Sequence, residues 1–289
     1  MNKTAGRRID SKASVFLLLI FSTLVSACAI RPRIIQHPHR EGDALWMAYR
    51  SMREPLKAFK AEVRVFQKGS LGRGRASAFV FVQRPDRIRV DVLSPLGVMA
   101  VLAVDGPSLM LADLRRNVRY EGPSCPANLV RLLGLPLGSR ELADLMIGLP
   151  MPMPATKREL EVTRRGSYVW TSYSQTGLRQ ELEFSVPDED LALPPERQHL
   201  RIVRAEEIDP TGRPLRRMRF SEHRVVVDPL DAQKRGVALP FAIDLEDLRR
   251  RATLKLRLQW ATINEKESDE VFHPQEYSRL RRIEARCGH

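Results

Sequence analysis

The sequence predicts a mainly β (α+β) protein: a single strongly curved antiparallel sheet, an open half-barrel of roughly ten or eleven strands, with a short helical lid. Two patterns predict this fold. Apolar and polar residues alternate in many short segments, as in RIRVDVLS at 87–94, which is typical of a sheet with one wet face. Midway, the stretch 126–150 changes to helical spacing and would cover the concave side of the sheet.

The beginning of the chain has the features of a signal peptide. A basic leader precedes an apolar run from Ala13 to Val25, which is too short to span a bilayer as a helix. We therefore expect a signal peptide over 1–27. The general secretion route is favoured, because the Arg7-Arg8 pair lacks the rest of a twin-arginine motif.

Cys28 follows Val25-Ser26-Ala27, and this stretch resembles the bacterial lipobox. The resemblance implies that Cys28 receives a diacylglycerol and becomes the first residue once the leader is cut. Each acyl methylene buried in the bilayer contributes about 0.8 kcal/mol, so the acyl groups would hold the protein on a membrane. Ala29, in place of an inner-membrane retention aspartate, favours the outer membrane, with the body facing the periplasm. The alternative is an ordinary secretory signal with an incidental cysteine.

The composition is globular and basic. Hydrophobic residues make up 43% and charged residues 29%, and the net charge is +13. Outside the cytoplasm, this charge favours an anionic membrane surface or an acidic protein as partner, and no nucleic acid. A generally arginine-rich proteome is the plainer explanation for part of the charge.

Three regions are expected after the signal peptide: a flexible tether at 28–44, a half-barrel domain at 45–263 and a polar C-terminal tail at 264–289 that frays. A short amphipathic helix is favoured near Leu45–Lys60, although Pro55 should break it. The predicted strands are, in order, 61–65, 76–83, 87–94, 98–105, 108–114, 118–122, 158–165, 168–174, 178–186, 199–208, 215–227, 241–247 and 252–263.

The lid would consist of two short helices. Ser139 is the candidate N-cap of the second, which Gly148 and Pro150 would end. The apolar residues at helical spacing are Leu129, Leu132 and Leu133 in the first helix and Leu142, Leu145 and Met146 in the second.

Cys125 and Cys287 are the cysteines left besides Cys28. An oxidising periplasm would permit them to form a disulfide. Two separate thiols are the alternative, because the sequence sets no distance between them.

The block from Phe59 to Pro152 resembles the LolB family of outer-membrane lipoprotein acceptors and, more loosely, the LolA carriers. The matching pieces are the strand SAFVF at 77–81, the strand and turn DRIRVDVLSPLG at 86–97, and an apolar lid that ends LMIGLP at 145–150. The resemblance covers about a third of the chain, and the longer second half shares only the strand layout. It implies a LolA/LolB-like half-barrel that binds lipoprotein acyl chains, delivered by a periplasmic LolA-like carrier.

Pro95, Leu96 and Gly97 form the turn after the basic strand. In LolB-like proteins the matching turn projects a leucine that helps push cargo into the membrane, so the resemblance implies this role for Leu96. The residues favour the same geometry, because Pro95 fixes φ and Gly97 permits a tight turn. A leucine folded back under the sheet is the alternative.

A curved wall under an apolar lid would leave a hollow for an acyl chain. The alternative is the same fold with a filled core. The expected lining is Val63, Val80, Ile88, Val90, Val92, Leu102 and Val104 on the wall, with Leu129, Leu132, Leu142 and Met146 on the lid.

No pattern in the sequence predicts catalysis, a metal or a cofactor. The histidines are scattered, and Glu270, His273 and Glu276 lack a second nearby histidine. Gly69–Gly74 lacks the ending of a phosphate loop, and no G-x-S-x-G motif occurs. We therefore expect a monomeric binding protein without a cofactor rather than an enzyme.

Two functions fit these expectations. The leading one is an outer-membrane lipoprotein that binds acyl chains in a hydrophobic cavity and takes part in the reception and insertion of lipoproteins or other lipids. The alternative is a non-catalytic scaffolding lipoprotein of the same fold that binds an envelope protein complex, which the longer C-terminal half favours.

Overall fold

A computed structural model describes residues 33–69, 72–133, 137–234, 236–265, 267–273 and 277–287. The helices are α1 (Gly42–Ser51), α2 (Pro126–Leu133) and α3 (Ser139–Met146). The strands are β1 (Ala58–Gly69), β2 (Gly72–Gln83), β3 (Arg87–Ser94), β4 (Gly97–Asp105), β5 (Ser108–Asp113), β6 (Val118–Pro123), β7 (Lys157–Val162), β8 (Ser167–Tyr173), β9 (Arg179–Ser185), β10 (Arg201–Ile208), β11 (Pro214–Val227), β12 (Gly236–Asp247), β13 (Ala252–Ile263) and β14 (Arg281–Glu284).

All of these strands belong to one sheet, in the order β14-β6-β5-β4-β3-β2-β1-β13-β12-β11-β10-β9-β8-β7. Each pair is antiparallel except β14 with β6, which is parallel. The chain therefore forms two meanders, β1 to β6 and β7 to β13, which join where β1 pairs with β13.

The sheet has more strands than expected. Each of the thirteen segments predicted as a strand is present, and with β14 the described residues form a sheet of 14 strands, more than the roughly ten or eleven expected for the half-barrel. The strand that no pattern predicted is β14, because its sequence RRIE lacks apolar alternation. It enters the sheet through its backbone pairing with β6.

The sheet curls around the helices. Arg84, in the turn before β3, pairs with Asp144 of α3, and Arg216 of β11 pairs with Glu141 of the same helix. Strands β3 and β11 lie five steps apart in the sheet, about 24 Å of arc at roughly 4.8 Å per step. A helix about 10 Å wide contacts both only if the sheet bends around it. The expected curved open sheet with a helical cover is thus present.

The concave face and the helices share one apolar core. Inward positions alternate along the strands, as in β13, where Leu254, Leu256 and Leu258 are buried. In α1, Leu45 and Tyr49 are fully buried against the same face. Burying one such side chain contributes about 1.5–3 kcal/mol, so this face is what holds the helices on the sheet.

Helix α1 lies earlier than predicted and ends at Ser51, before Pro55. Asp43 in its first turn and Arg50 in its last turn match the helix dipole. The first residue of the helix, Gly42, is a glycine because any β-carbon there would collide with the ring of Trp170. Helix α3 begins at Ser139, so Gly138 takes the N-cap position predicted for that serine.

From Arg33 onward, the structure differs from the expected free tether, because these residues contact the sheet domain. The Nε of Arg33 donates to Asp188 at 2.6 Å, and the backbone N–H of Gln36 donates to the carbonyl of Leu191 at 2.9 Å. We call residues 33–41 the N-terminal arm. Its prolines and charges resemble a linker, but its polar groups find partners on the loops beside β7 and β10.

The described part of the C-terminal tail also differs from the expected free end, because it contacts the sheet. Phe272 is 3% exposed, and the guanidinium of Arg87 lies 4.6 Å from its ring centroid. Beyond β14, Cys287 forms a disulfide with Cys125, with their α-carbons 6.2 Å apart. A buried aromatic ring and a covalent bond therefore fix a segment whose polar composition suggested a free end.

Candidate functional site

The candidate site lies between the concave face of the sheet and the lid, which comprises α2 and α3. The residues predicted to line it do converge there. Val92 is half-buried and packs on the core cluster, and the side chain of Leu132 lies outside the described residues. The other predicted lining residues are buried in this cluster: Val63, Val80, Ile88, Val90, Leu102, Val104, Leu129, Leu142 and Met146.

The cavity that the described residues leave under α3 is small. A cavity between α3 and strands β10 and β11, lined by Leu145, Ala205 and Met218 among others, measures about 20 Å³. One water needs roughly 10–15 Å³, whereas small-molecule sites usually offer about 300–1,000 Å³. This cavity is too small for an acyl chain, so a chain would enter under α3 only if the helix moves; the side chains of 130–136 in the rest of the lid lie outside the described residues.

Two ion pairs fasten α3 to opposite walls of the sheet. Arg216 Nη1 lies 2.7 Å from Glu141 Oε1 on the β11 side. Arg84 Nη2 lies 3.5 Å from Asp144 Oδ1 on the β3 side. Burial raises the pKa of Asp144, and the nearby charge of Arg84 opposes that shift.

Tyr49 of α1 and Arg53, two residues after its end, hold the C-terminal end of α3. The hydroxyl of Tyr49 donates to the carbonyl of Gly148. Arg53, which is 1% exposed, donates from Nε to the carbonyl of Ile147 at 3.2 Å and from Nη2 to that of Ala238 at 3.1 Å. Burial raises the pKa of Tyr49 to about 12, so its phenol is a neutral donor. Sequence reasoning missed Arg53, because an arginine after an amphipathic helix suggests a solvated charge.

His223 lies close to this buried arginine. Burial, followed by the positive charges of Arg53 and Arg201, lowers the pKa of His223 to about 4. The imidazole is therefore neutral at pH 7. The sequence did not predict that His223 is shielded from solvent, because it is one of several scattered histidines.

The β3–β4 hairpin presents Leu96 to solvent. Ser94 pairs with Gly97 across the hairpin, which leaves Pro95-Leu96 as its turn. The Oγ of Ser94 donates to the carbonyl of Gly97 at 2.9 Å and accepts from the N–H of Leu96 at 3.3 Å. Gly97 has φ +114°, which glycine adopts without strain. Leu96 is 99% exposed, so it does not fold back under the sheet.

Larger depressions lie outside the lid, where β1 begins. One has a volume of about 550 Å³ and another about 430 Å³, and both open to solvent. Apolar residues on their walls include Phe59, Phe81, Leu230, Met52, Leu56 and Leu200.

Cys28 and the predicted signal peptide lie outside the described residues. None of the described helices is long and apolar enough to cross a membrane. Cys125 and Cys287 are joined, which ties the start of α2 to the end of β14.

Two histidines outside the core pair with single carboxylates. His199 Nδ1 lies 3.0 Å from Asp190, and His273 Nε2 lies 2.6 Å from Asp105. Across the described ranges, no three His, Cys, Asp or Glu side chains are grouped to hold a metal ion. Glu276 lies outside those ranges.

No model of a known protein family matches the sequence, and no curated protein matches it. Solved structures do match. A Vibrio parahaemolyticus domain named as an outer membrane lipoprotein-sorting protein aligns with a TM-score of 0.51 and 9% identity, over 81% of this chain and 97% of that chain. A DUF1329 family protein from Desulfovibrio piger aligns with a TM-score of 0.51 and 12% identity, over 81% and 98%.

A LolA superfamily protein from Nitrosomonas europaea aligns with a TM-score of 0.47 and 14% identity, over 81% of this chain and 98% of that chain. Identities this low establish a shared fold rather than a shared activity. The sheet, the position of the lid and the alignments with the Vibrio parahaemolyticus and Desulfovibrio piger structures agree with the resemblance seen in the sequence. The chain therefore has a LolA/LolB-like fold.

Proposed function

We propose that this chain is a lipid-anchored protein of the outer membrane that takes acyl chains of lipoproteins, or of other lipids, beneath its lid and passes them to a membrane. The observation that carries the proposal is the apolar concave face of the sheet, closed by a lid that takes no part in strand pairing. A solved structure of similar fold is named for lipoprotein sorting, which agrees with this use of the fold.

The lid can part from the wall without breaking the sheet. Helices α2 and α3 lie in the connection between β6 and β7, and β7 is one edge of the sheet. Lifting α3 would therefore break the Glu141–Arg216 and Asp144–Arg84 pairs and the hydrogen bonds from Arg53 and Tyr49 to Ile147 and Gly148, but no strand pair. Partly exposed ion pairs contribute little, at most about 1 kcal/mol each.

Acyl binding would replace apolar contacts of the lid by apolar contacts of the ligand. Leu142, Leu145 and Met146 are at most 3% exposed under the closed lid. When α3 lifts, methylene groups of the ligand would take the places of these side chains against the same wall. Each buried methylene contributes about 0.8 kcal/mol, so a long chain offsets the hydrophobic contacts that the lid gives up.

Delivery would use the exposed turn. A leucine that is 99% exposed on a rigid hairpin stays in water unless it meets lipid or a partner. With the chain held by acylated Cys28, Leu96 would enter a bilayer interface during release of the cargo. A periplasmic LolA-like carrier would supply the cargo.

A transfer assay tests this function. A fluorescent lipopeptide with an acylated N-terminal cysteine is given to the purified protein, and its arrival in acceptor vesicles is followed. We expect the wild type to bind and transfer it, and Leu96→Glu to bind it but transfer it at least tenfold more slowly. Leu230→Glu is the matched control, because Leu230 is 66% exposed on another loop. Failure of the wild type to bind the lipopeptide would overturn the proposal.

The small cavity under α3 favours a second candidate, a scaffolding lipoprotein of the same fold. Its core would stay closed, and its surface would hold an envelope protein complex. The 20 Å³ space under α3 is the observation that supports it. A stoichiometric partner recovered from membranes with both wild type and Leu96→Glu, together with no lipopeptide binding, would establish this alternative.

A further inference from the structure

The hairpin turns of the sheet lie at two opposite ends, and one of these ends is strongly basic. We call the turns after β3, β5, β10 and β12, with the adjoining ends of β1 and β2, the tip face. Alternating strand directions place all of them at the same end of the sheet. Exposed basic residues of the tip face are Lys68, Arg73, Arg75, Arg115, Arg116, Arg213, Arg249, Arg250 and Arg251.

Few carboxylates balance this charge at the tip face. Asp113 pairs with Arg116 at 3.6 Å and Asp247 with Arg250 at 3.1 Å. Asp209 accepts hydrogen bonds from the backbone of its own turn. The remaining arginines give the tip face a strong positive potential.

Apolar side chains stand among these arginines. Leu96 is 99% exposed, Val98 38% and Leu248 39%. The β3–β4 and β12–β13 turns that carry them flank the ends of β1 and β2 in the sheet order. Exposed aliphatic residues among basic ones are the composition that binds the interface of an anionic bilayer.

The N-terminal arm is attached at the other end of the sheet. Arg33 donates to the carbonyl of Val186 at 2.7 Å and to Asp188 at 2.6 Å, just past the end of β9. That end mixes both signs of charge, so it lacks the positive potential of the tip face. Its exposed acidic residues are Asp188, Glu189, Glu196, Asp269 and Glu270, and its exposed basic residues are Arg40, Lys57, Arg164, Arg165, Arg197 and Lys234.

The reach of the anchor separates the two ends. Cys28 lies five positions before Arg33, so the segment between them spans at most about 18 Å. Strand β3 has 8 residues and is about 26 Å long, and Leu96 follows its far end. While the arm stays docked, the tip face cannot lie flat on a bilayer that holds Cys28, because its end of the sheet is farther from Arg33 than the segment reaches.

We propose that the tip face docks on a second anionic phospholipid bilayer, opposite the one that holds Cys28. The proposal rests on the anchoring part of the proposed function. Charge complementarity brings the arginines to the headgroups, and Leu96 and Leu248 enter the interface. The chain then bridges two lipid surfaces, with its anchor on one and its hairpin turns on the other.

Vesicle bridging tests the inference. The mature acylated chain is placed in phosphatidylcholine vesicles, and protein-free acceptor vesicles contain either phosphatidylglycerol or phosphatidylcholine alone. Energy transfer between lipid dyes on the two populations reports bridging. We expect bridging only with phosphatidylglycerol, at least tenfold reduced by 0.5 M salt and by Arg249→Glu with Arg251→Glu. The matched control is Arg64→Glu with Arg219→Glu, the same charge change at exposed positions on the outer face of the sheet.

Each outcome has one meaning for the inference. Equal bridging of neutral acceptors, equal bridging by the Arg249/Arg251 variant, or an environment-sensitive dye on Leu96→Cys that enters the chain's own vesicles would overturn it. Capture of an acidic protein without any bridging of vesicles would overturn it as well. Flotation of the chain with its own vesicles separates the two proposals: without flotation the anchor fails, and with flotation but no bridging only this inference fails.

Discussion

Arg216 Nη1 of β11 donates to Glu141 Oε1 of α3 at 2.7 Å. This hydrogen bond and the Arg84–Asp144 pair on the other side hold the lid between two walls of one sheet. Both pairs are partly exposed, so they fix the position of the lid at a modest energy. The ion pairs therefore add little to the apolar packing of Leu142, Leu145 and Met146 that holds the lid closed, which has measurable consequences.

Replacing Glu141 by Gln keeps the shape of the side chain and removes its charge. We expect acyl uptake to become several-fold faster, because the lid loses one of its fastenings, while the free energy of unfolding falls by at most about 1 kcal/mol. Stopped-flow binding of a fluorescent fatty acid measures the rate. Glu246→Gln is the control, since its 3.9 Å pair with Arg217 does not involve the lid. Unchanged uptake in Glu141→Gln would show that this pair does not hold the lid.

Truncation of Leu145 should lower the free energy of unfolding strongly, whereas truncation of Leu96 should hardly change it. Leu145 is 2% exposed under the lid, so Leu145→Ala should cost about 2–5 kcal/mol of unfolding free energy. Leu96 is 99% exposed, and Leu96→Ala should change it by less than about 0.5 kcal/mol. Urea unfolding measures both. A large loss for Leu96→Ala would mean that the turn packs against the body.

His223 should make the fold sensitive to mild acid. Its pKa is about 4 in the folded chain and 6.5 when unfolded. Between these values the unfolded chain binds more protons, so stability is full above pH 6.5 and falls as the pH drops toward 4. This predicts a loss of about 2 kcal/mol between pH 7.5 and pH 5.

His223→Phe should remove most of that loss, measured by urea unfolding at the two pH values. His199→Asn is the control, because its side chain is 75% exposed. Burial raises the pKa of Asp144 and Glu207, so these carboxyls act with the opposite sign: their contribution falls as the pH rises through their raised pKa values. An unchanged pH dependence in His223→Phe would contradict the assignment.

The disulfide should hold the C-terminal segment to the sheet. Cys125→Ser with Cys287→Ser should lower the free energy of unfolding by about 2–5 kcal/mol, because the bond closes a long loop. The same variant should expose the bonds after Arg281 and Arg282 to trypsin. Limited proteolysis followed by mass spectrometry checks this, with the wild type under oxidising conditions as reference. Equal cleavage of the two proteins would show that β14 is stable without the bond.

The alternation of apolar and polar residues predicted the strands well. A strand with one buried face has an apolar residue at every second position, as in Leu254–Trp260. Alternation could not predict β14, which pairs through backbone groups that every residue has. It also could not predict that residues 33–41 dock, because their partners are distant loops. The burial of Arg53 could not be predicted for a similar reason. It depends on the carbonyls of Ile147 and Ala238, which only the fold brings together.

The inward residues and the exposed turn could be predicted, but the volume between them could not. Val63, Ile88 and Leu142 reveal which face is apolar from their spacing alone. Whether those faces touch depends on the curvature of the sheet and the depth of the helix, which differ by a few ångströms between an open and a filled interior. Spacing carries no information at that scale.

Photo-crosslinking with a diazirine-bearing fatty acyl probe tests most directly whether hydrocarbon enters beneath the lid. Mass spectrometry then locates the labelled residues on the purified, correctly folded chain. We predict adducts on inward residues such as Val90, Leu102 and Met146, at a higher yield in Glu141→Gln. Labelling confined to the open depressions near Phe81 and Leu230, or no labelling at all, would contradict acyl binding at this site.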